Sequence, residues 1–255
     1  MINHSPGDLI ATVSADVGLA ELNAELAKAG QMLALDPPGA DRLTVAEVFD
    51  QALSGPRSHR YGEPRDLVLG MEVELADGTV ARSGGRVVKS VAGYDLPKLF
   101  TGAHGRLGRI RELTVRLHPI PQATATVVCE QVDVLSLEPL APACVEYSWP
   151  PEAITVRFES PVAAALAERM QADAGGELVI DDEQLWDDHR EAAAGLTSRR
   201  VLPADTYAEI ERLQRAGATR VLGRLARGHL LSDAVVPADV ELTPLEQRVM
   251  AAYGG

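Results

Sequence analysis

The chain has 255 residues, 46% of them apolar and 24% charged, with a formal net charge of −13; this is the composition of a globular protein with a substantial core, and it excludes disorder as the default reading. A pI near 4.9 argues against nucleic acid or an anionic membrane as main partner, and no apolar run approaches 18 residues, so no transmembrane segment is expected. The N-terminus lacks the basic and apolar regions of a secretory signal, which predicts a cytoplasmic protein whose two cysteines, Cys129 and Cys144, are free buried thiols.

In chain order, Asp8 to Asp16 reads as a strand, and Leu19 to Gly30 has apolar residues at helical spacing with Gly30 as its stop. LALDPPGAD around Pro37 and Pro38 is a turn, and Thr44 caps a short helix to Leu53. A loop, SGPRSHRYGEPRD, leads to a strand (Leu67 to Leu75), a turn at Asp77-Gly78 and a return strand from Val80. One helical turn is expected at Leu96 to Phe100 and a strand at Arg109 to Leu117. Pro119 and Pro121 then break the pattern and mark a boundary between modules 1–121 and 122–255.

The second module reads as strand (124–132), helix or loop (135–144), strand (153–159), helix (161–174), strand (177–180) and a helix through Trp186. A helix (204–216), a strand (219–225) and a final helix (244–252) follow, giving an α+β layout. Charge separates the modules as well: residues 1–118 carry 13 basic and 15 acidic side chains, whereas 119–255 carry 11 and 22.

Against this acidic background one run, Gly84 to His118, holds six of the 22 glycines and seven Lys or Arg against two acids. Gly102, Gly105 and Gly108 recur at every third position within it. Glycine lets backbone amides approach a ligand closely, and amides with local positive charge suit a diphosphate. The plain alternative is a pair of tight turns. Tyr94 and Asp95 read equally as a ligand-edge pair or a hydrogen-bonded corner, and Lys89 as a phosphate partner or a solvated strand residue. His59 and His104 are lone loop histidines, more often surface groups than bases. The acidic cluster around Asp181, Asp182 and Glu183 reads as a solvated helix start. The six histidines show no metal-ligand spacing, and no metal is expected.

The segment VVKSVAGYDLPKLFTGAHGRLGRI resembles the flavin-binding segment of the FAD-linked oxidases with the vanillyl-alcohol-oxidase (PCMH-type) fold, and the likeness extends to their glycolate oxidase members. It matches at Val88, Lys89, Gly93, Tyr94, Asp95, Leu96, Leu99, Phe100, Gly102, Gly105, Leu107, Gly108 and Ile110. LDPPG (35–39), SGP (54–56), RYG (60–62), RDLVLG (65–70) and LADGT (75–79) match upstream in the same order. Beyond Pro121 the likeness is loose, carried by Leu185-Trp186 and the terminal LEQRVMAAY.

The resemblance implies an α+β PCMH-type FAD-binding domain, N-terminally shortened because the first pyrophosphate loop would precede Met1, followed by a smaller cap-like α+β domain with a C-terminal helix. It implies FAD as cofactor, lined by Ser54, Gly55, Pro56, Gly62, Gly93, Tyr94, Asp95, Gly102, Gly105, Leu107, Gly108 and Ile110. No catalytic residue is assigned. The implied role is the FAD-binding subunit of a glycolate or other 2-hydroxy-acid oxidase complex, beside a catalytic flavoprotein subunit and an iron–sulfur subunit, reaching the inner face of the membrane through those partners. Ala46 and Glu47 stand where relatives carry Gly-Gly, so a carboxylate would face the diphosphate. A scaffold subunit of the same fold that no longer holds FAD is therefore the alternative, and an unrelated mononucleotide-binding module a third reading.

Overall fold

The computed structural model describes residues 1–85 and 95–234. It contains β1 (Ile2–Ser5), β2 (Ile10–Ser14), α1 (Leu19–Ala27), β3 (Gln31–Met32), α2 (Val45–Asp50), α3 (Ser58–Tyr61), α4 (Pro64–Leu67), β4 (Val68–Glu74), β5 (Val80–Gly84), α5 (Leu96–Phe100), β6 (Arg109–Arg116) and β7 (His118–Pro119). An antiparallel sheet of order β1-β2-β6-β4-β5 carries α1 and α2 on one face. Leu19, Leu22 and Leu26 recur at helical spacing and are buried with Val45, Val48 and Phe49 against Val13, Leu113 and Val115 of the sheet. Thr44 closes the start of α2 as expected. Its Oγ1 accepts from Glu47 N, and the Glu47 carboxylate accepts from Thr44 N in return, both halves of a capping box.

In β6 the buried positions step from Ile110 to Leu113 before settling into alternation. The register explains the irregularity, because Glu72 pairs with Glu112 and Val73 with Ile110, leaving Arg111 as an extra residue on β6. The bulge restores the apolar phase, and Arg111 donates to Glu74 Oε2 from Nε and Nη2 at 3.0 and 2.7 Å.

The second half of the chain contains β8 (Thr124–Cys129), β9 (Cys144–Trp149), β10 (Ala153–Glu159), α6 (Ala163–Ala174), β11 (Glu177–Ile180), α7 (Glu183–Ala192), β12 (Thr197–Arg200), α8 (Thr206–Arg215), β13 (Val221–Arg224) and β14 (His229–Ser232). They form an antiparallel sheet of order β11-β8-β10-β9-β13-β14-β12. Val127, Val145, Tyr147, Ile154, Val156, Phe158 and Leu230 pack on one face with Met170 of α6 and Ile210 and Leu213 of α8. The opposite face carries Thr126, Glu146, Arg157, Glu159, Arg224 and His229, all buried. Strands β9, β12 and β14 were not expected from the sequence; β14 is buried along its length and β9 over its first four residues, which masks the alternation that marks a half-exposed strand. The expected helix 244–252 lies outside the described residues.

The reading of Asp182 as solvated is corrected. Its carboxylate is buried and accepts from Thr124 Oγ1 at 2.8 Å, Thr126 Oγ1 at 2.6 Å and Arg157 Nη2 at 2.8 Å. Trp186, fully buried one turn on, donates from Nε1 to Thr126 Oγ1 at 2.9 Å. Cys129 and Cys144 are free and buried, on strands that both pair with β10 rather than with each other. Burial pushes both thiols up, Cys144 well above its ordinary value. Neither thiol should react with an aromatic disulfide reagent in the native protein, and both should in denaturant; rapid native labelling of two thiols per chain would contradict the packing.

Candidate functional site

The loop from Thr101 to Gly108 joins α5 to β6 and rests on the end of α2. Gly102 N donates to Phe49 O and His104 N to Asp50 O, each at 3.0 Å. Gly105 N donates to Asp50 Oδ1 at 2.8 Å. The chain takes positive φ at Gly102 (80°), His104 (52°) and Gly105 (72°). A Cβ on Gly105 would meet nothing within 4 Å, so glycine serves backbone conformation there, whereas a Cβ on Gly108 would come within 2.7 Å of Glu74 O. Among the described residues the Leu107 and Gly108 amides have no hydrogen-bond acceptor.

Gly105, Leu107, Gly108 and Ile110 line a cavity of about 750 Å³ together with Thr44, Ala46 and Glu47. That size lies within the range of small-molecule sites. Four carboxylates line it (Asp16, Glu47, Asp50, Glu74) against two guanidinium groups, Arg106 and Arg109. Part of the negative charge is already engaged. Glu74 is paired with Arg111 at 2.7 Å, and the Thr44 amide and hydroxyl hold the Glu47 carboxyl below its usual value.

Ser54, Gly55, Pro56 and Gly62, expected beside this loop, do not line that cavity. They belong to a segment, 54–63, that is clamped between the two sheets. Gly55 has an internal reason to be glycine, since a Cβ would lie 1.8 Å from Asp36 O. Arg57 Nε donates to Glu159 Oε1 at 3.0 Å, Tyr61 Oη to Glu159 Oε2 at 2.8 Å, and Arg60 Nη1 to Glu159 O at 2.8 Å. Arg227 Nη2 donates to the carbonyls of Ser58 (2.7 Å) and His59 (3.0 Å), and Arg200 pairs with Glu63 at 2.7 Å. Ser54 Oγ accepts from Arg224 Nη1 at 3.4 Å. Asp95 sits apart at the start of α5, paired with Lys98 at 2.9 Å, while Gly93 and Tyr94 lie outside the described residues.

Two buried titratable groups face this seam. Asp36 accepts from Arg57 N at 3.1 Å and lies 3.8 Å from Arg190, yet burial outweighs its arginine neighbours and raises its pKa to about 6. His229 is pulled down to about 3 by burial and by Arg224 and Arg200. It is therefore neutral at pH 7, its Nδ1 accepts from Arg224 Nη1, and the proton on Nε2 donates to Ser198 Oγ at 2.6 Å. Sequence reasoning missed this whole group, together with Glu146, whose carboxylate lies 3.4 Å from Arg224 Nε and 3.2 Å from His189 Nε2. For Arg157 and Glu159 the available signal was the alternation of polar with apolar residues in ITVRFE (154–159). Among the described residues no group of three His, Cys, Asp or Glu side chains is placed to hold a metal ion, and no helix is long and apolar enough to cross a membrane.

Residues 1–84 match the sequence family described as a FAD binding domain. The chain carries a PCMH-type FAD-binding domain. FAD is the cofactor of such a domain, as the resemblance implied. The chain is 31% identical over 222 residues to glycolate oxidase subunit GlcE of Escherichia coli K12, which covers 80% of this chain and 61% of the relative. It is 29% identical over 244 residues to glycolate oxidase subunit GlcD of Bacillus subtilis strain 168, covering 90% and 52%. A mitochondrial D-lactate dehydrogenase (cytochrome) of Arabidopsis thaliana is 40% identical over 123 residues, 48% of this chain and 21% of that one. The chain thus spans between about half and three fifths of the glycolate oxidase subunits it matches. A solved structure of alkyldihydroxyacetonephosphate synthase shares the fold, with a TM-score of 0.63 over 98% of this chain at 15% identity.

The donor set suits a diphosphate in part: a cavity of about 750 Å³ with two glycines, two amides without acceptors among the described residues, and two arginines. Its charge fits less well, because Asp50 already holds one loop amide.

Two outcomes check the seam. Glu159→Ala leaves Arg57 and Tyr61 without their shared buried acceptor and should destabilise the protein by about 3 kcal/mol, read by chemical denaturation; a change under about 0.5 kcal/mol would show these bonds to be energetically idle. Asp36 gives a pH signature. The native state keeps its proton up to about pH 6, whereas the unfolded chain releases it near the ordinary value of about 3.9. The native state therefore binds more protons between those values, and stability falls as pH rises through them. Relative to the parent, Asp36→Asn should gain on the order of 2 kcal/mol on going from pH 4 to pH 7; parallel pH profiles would refute this.

Proposed function

We propose that this chain is the FAD-binding subunit of a glycolate or related 2-hydroxy-acid oxidase complex, with residues 1–121 as the FAD-binding domain and 122–255 as a cap-like domain. The observation that carries the reading is the glycine loop. Leu107 and Gly108, whose amides have no acceptor among the described residues, line a cavity with Arg106 and Arg109, within a fold whose sequence relatives include two glycolate oxidase subunits. The Leu107 and Gly108 amides would hold the diphosphate, and Arg106 and Arg109 would offset its charge. FAD, when bound, would supply the chemistry by accepting a hydride from the hydroxyl-bearing carbon of the substrate, glycolate giving glyoxylate. The contribution of this chain is to bind and orient, and the seam between its sheets would keep the two lobes in fixed relation. The proposed partners are a catalytic flavoprotein subunit and an iron–sulfur subunit, in the cytoplasm or at the inner face of the membrane through those partners.

A second reading, a scaffold subunit of the same fold without flavin, is favoured by the four carboxylates around the cavity. The two readings part on a visible spectrum. Purified alone or with its genomic neighbours co-expressed, the chain should show flavin absorption that is released on denaturation and identified as FAD; colourless protein from both preparations would refute the oxidoreductase reading and leave the scaffold.

A further inference from the structure

The glycine loop is closed by its own chain. Thr101, Gly102, Ala103, His104 and Arg106 all donate their amides to backbone carbonyls, two of them to Phe49 and Asp50 at the end of α2. These contacts place the loop. The bond from Gly105 N to Asp50 Oδ1 at 2.8 Å differs in kind, because its acceptor is an ionisable side chain. A carboxylate oxygen on an amide of a glycine turn makes the contact that a phosphate oxygen makes there. Among the described residues no ion pair neutralises Asp50, although it lines the same cavity as Arg106 and Arg109. Beyond Arg106, the amides of Leu107 and Gly108 have no acceptor among the described residues.

We propose that Asp50 is an internal stand-in for phosphate: its carboxylate occupies the Gly105 amide in the flavin-free chain, gives it up when a diphosphate enters the cavity, and so sets the affinity of this site for phosphorylated ligands. The proposal rests on the FAD reading above. Asp50 opposes binding twice, by holding a donor the ligand needs and by leaving a negative charge beside it once displaced. A neutral ligand without phosphate meets neither obstacle. Removal of the carboxylate leaves the backbone bonds from Gly102 and His104 in place, so the loop keeps its support.

The test titrates the full chain and its Asp50→Ala and Asp50→Asn variants with FAD, ADP and riboflavin, followed by calorimetry and flavin fluorescence. Asp50→Ala should bind FAD and ADP about tenfold more tightly than the parent, with riboflavin unchanged. Asp50→Asn keeps an acceptor without the charge and should gain less. Amide hydrogen exchange supplies a readout independent of flavin: Gly105 should be protected in the parent, exposed in Asp50→Ala, and protected again when ADP is added. Equal FAD affinity in parent and Asp50→Ala overturns the role of Asp50 while leaving the FAD reading intact. An equal gain for riboflavin and ADP also overturns it, since the cavity would then have opened without regard to phosphate. Absence of FAD binding to parent and both variants overturns both readings.

Discussion

The architecture turns on one buried carboxylate. Glu159 ends a central strand of the second sheet and receives Arg57, Arg60 and Tyr61 from the first half of the chain, with Arg157 beside it on the same strand. An ionised group removed from water must be matched by partners that cannot leave, and here the partners come from a loop more than ninety residues away in sequence. The loop 54–63 therefore has its shape set by the second sheet, while its own Gly55 lets it lie directly on the turn that holds Asp36. Arg200, Arg224 and Arg227 extend the same arrangement along the seam.

This placement changes the meaning of the small residues at 54–62. As a string, SGP and RYG match a cofactor wall; in three dimensions Gly55 also lies directly on Asp36 and Gly62 on Asp66. At Gly105 the situation is reversed. Nothing crowds it, and its own amide donates to a side chain, the Asp50 carboxylate, rather than to backbone. The loop thus combines backbone support on its inner side with an outer side whose contacts are exchangeable, which is what reversible binding of a large anion requires.

Much of the first half was legible in sequence because its signals are local. The Thr44 capping box, the turn at Asp77-Gly78, the single turn of α5 and the apolar spacing of α1 each involve residues within a few positions of one another. The tight turns of the loop 101–108 were legible through glycine spacing. The seam was not, because buried charge is recognisable only once its partners are known: Arg157 and Asp182 look like ordinary surface residues until β8, β10 and α7 are brought together. Strand β14, HLLS, carries two polar ends that would be solvated on an edge and are instead covered. Asp50 was equally silent, since an aspartate at the end of a short helix gives no sign of a glycine 55 positions later.

The second sheet has apolar residues toward α6 and α8 and polar ones toward α7 and the first half of the chain, a division fixed by the pleat of each strand. The orientation of the two halves is therefore recorded in alternate strand positions rather than in the connections between strands. The connection 130–143 adds to that record only through the residues it buries, Leu137, Leu140 and Ala143 among them. A slip of a single residue within β10 would turn Arg157 and Glu159 into the apolar layer and bring Phe158 to the seam, so the strand itself admits no such slip.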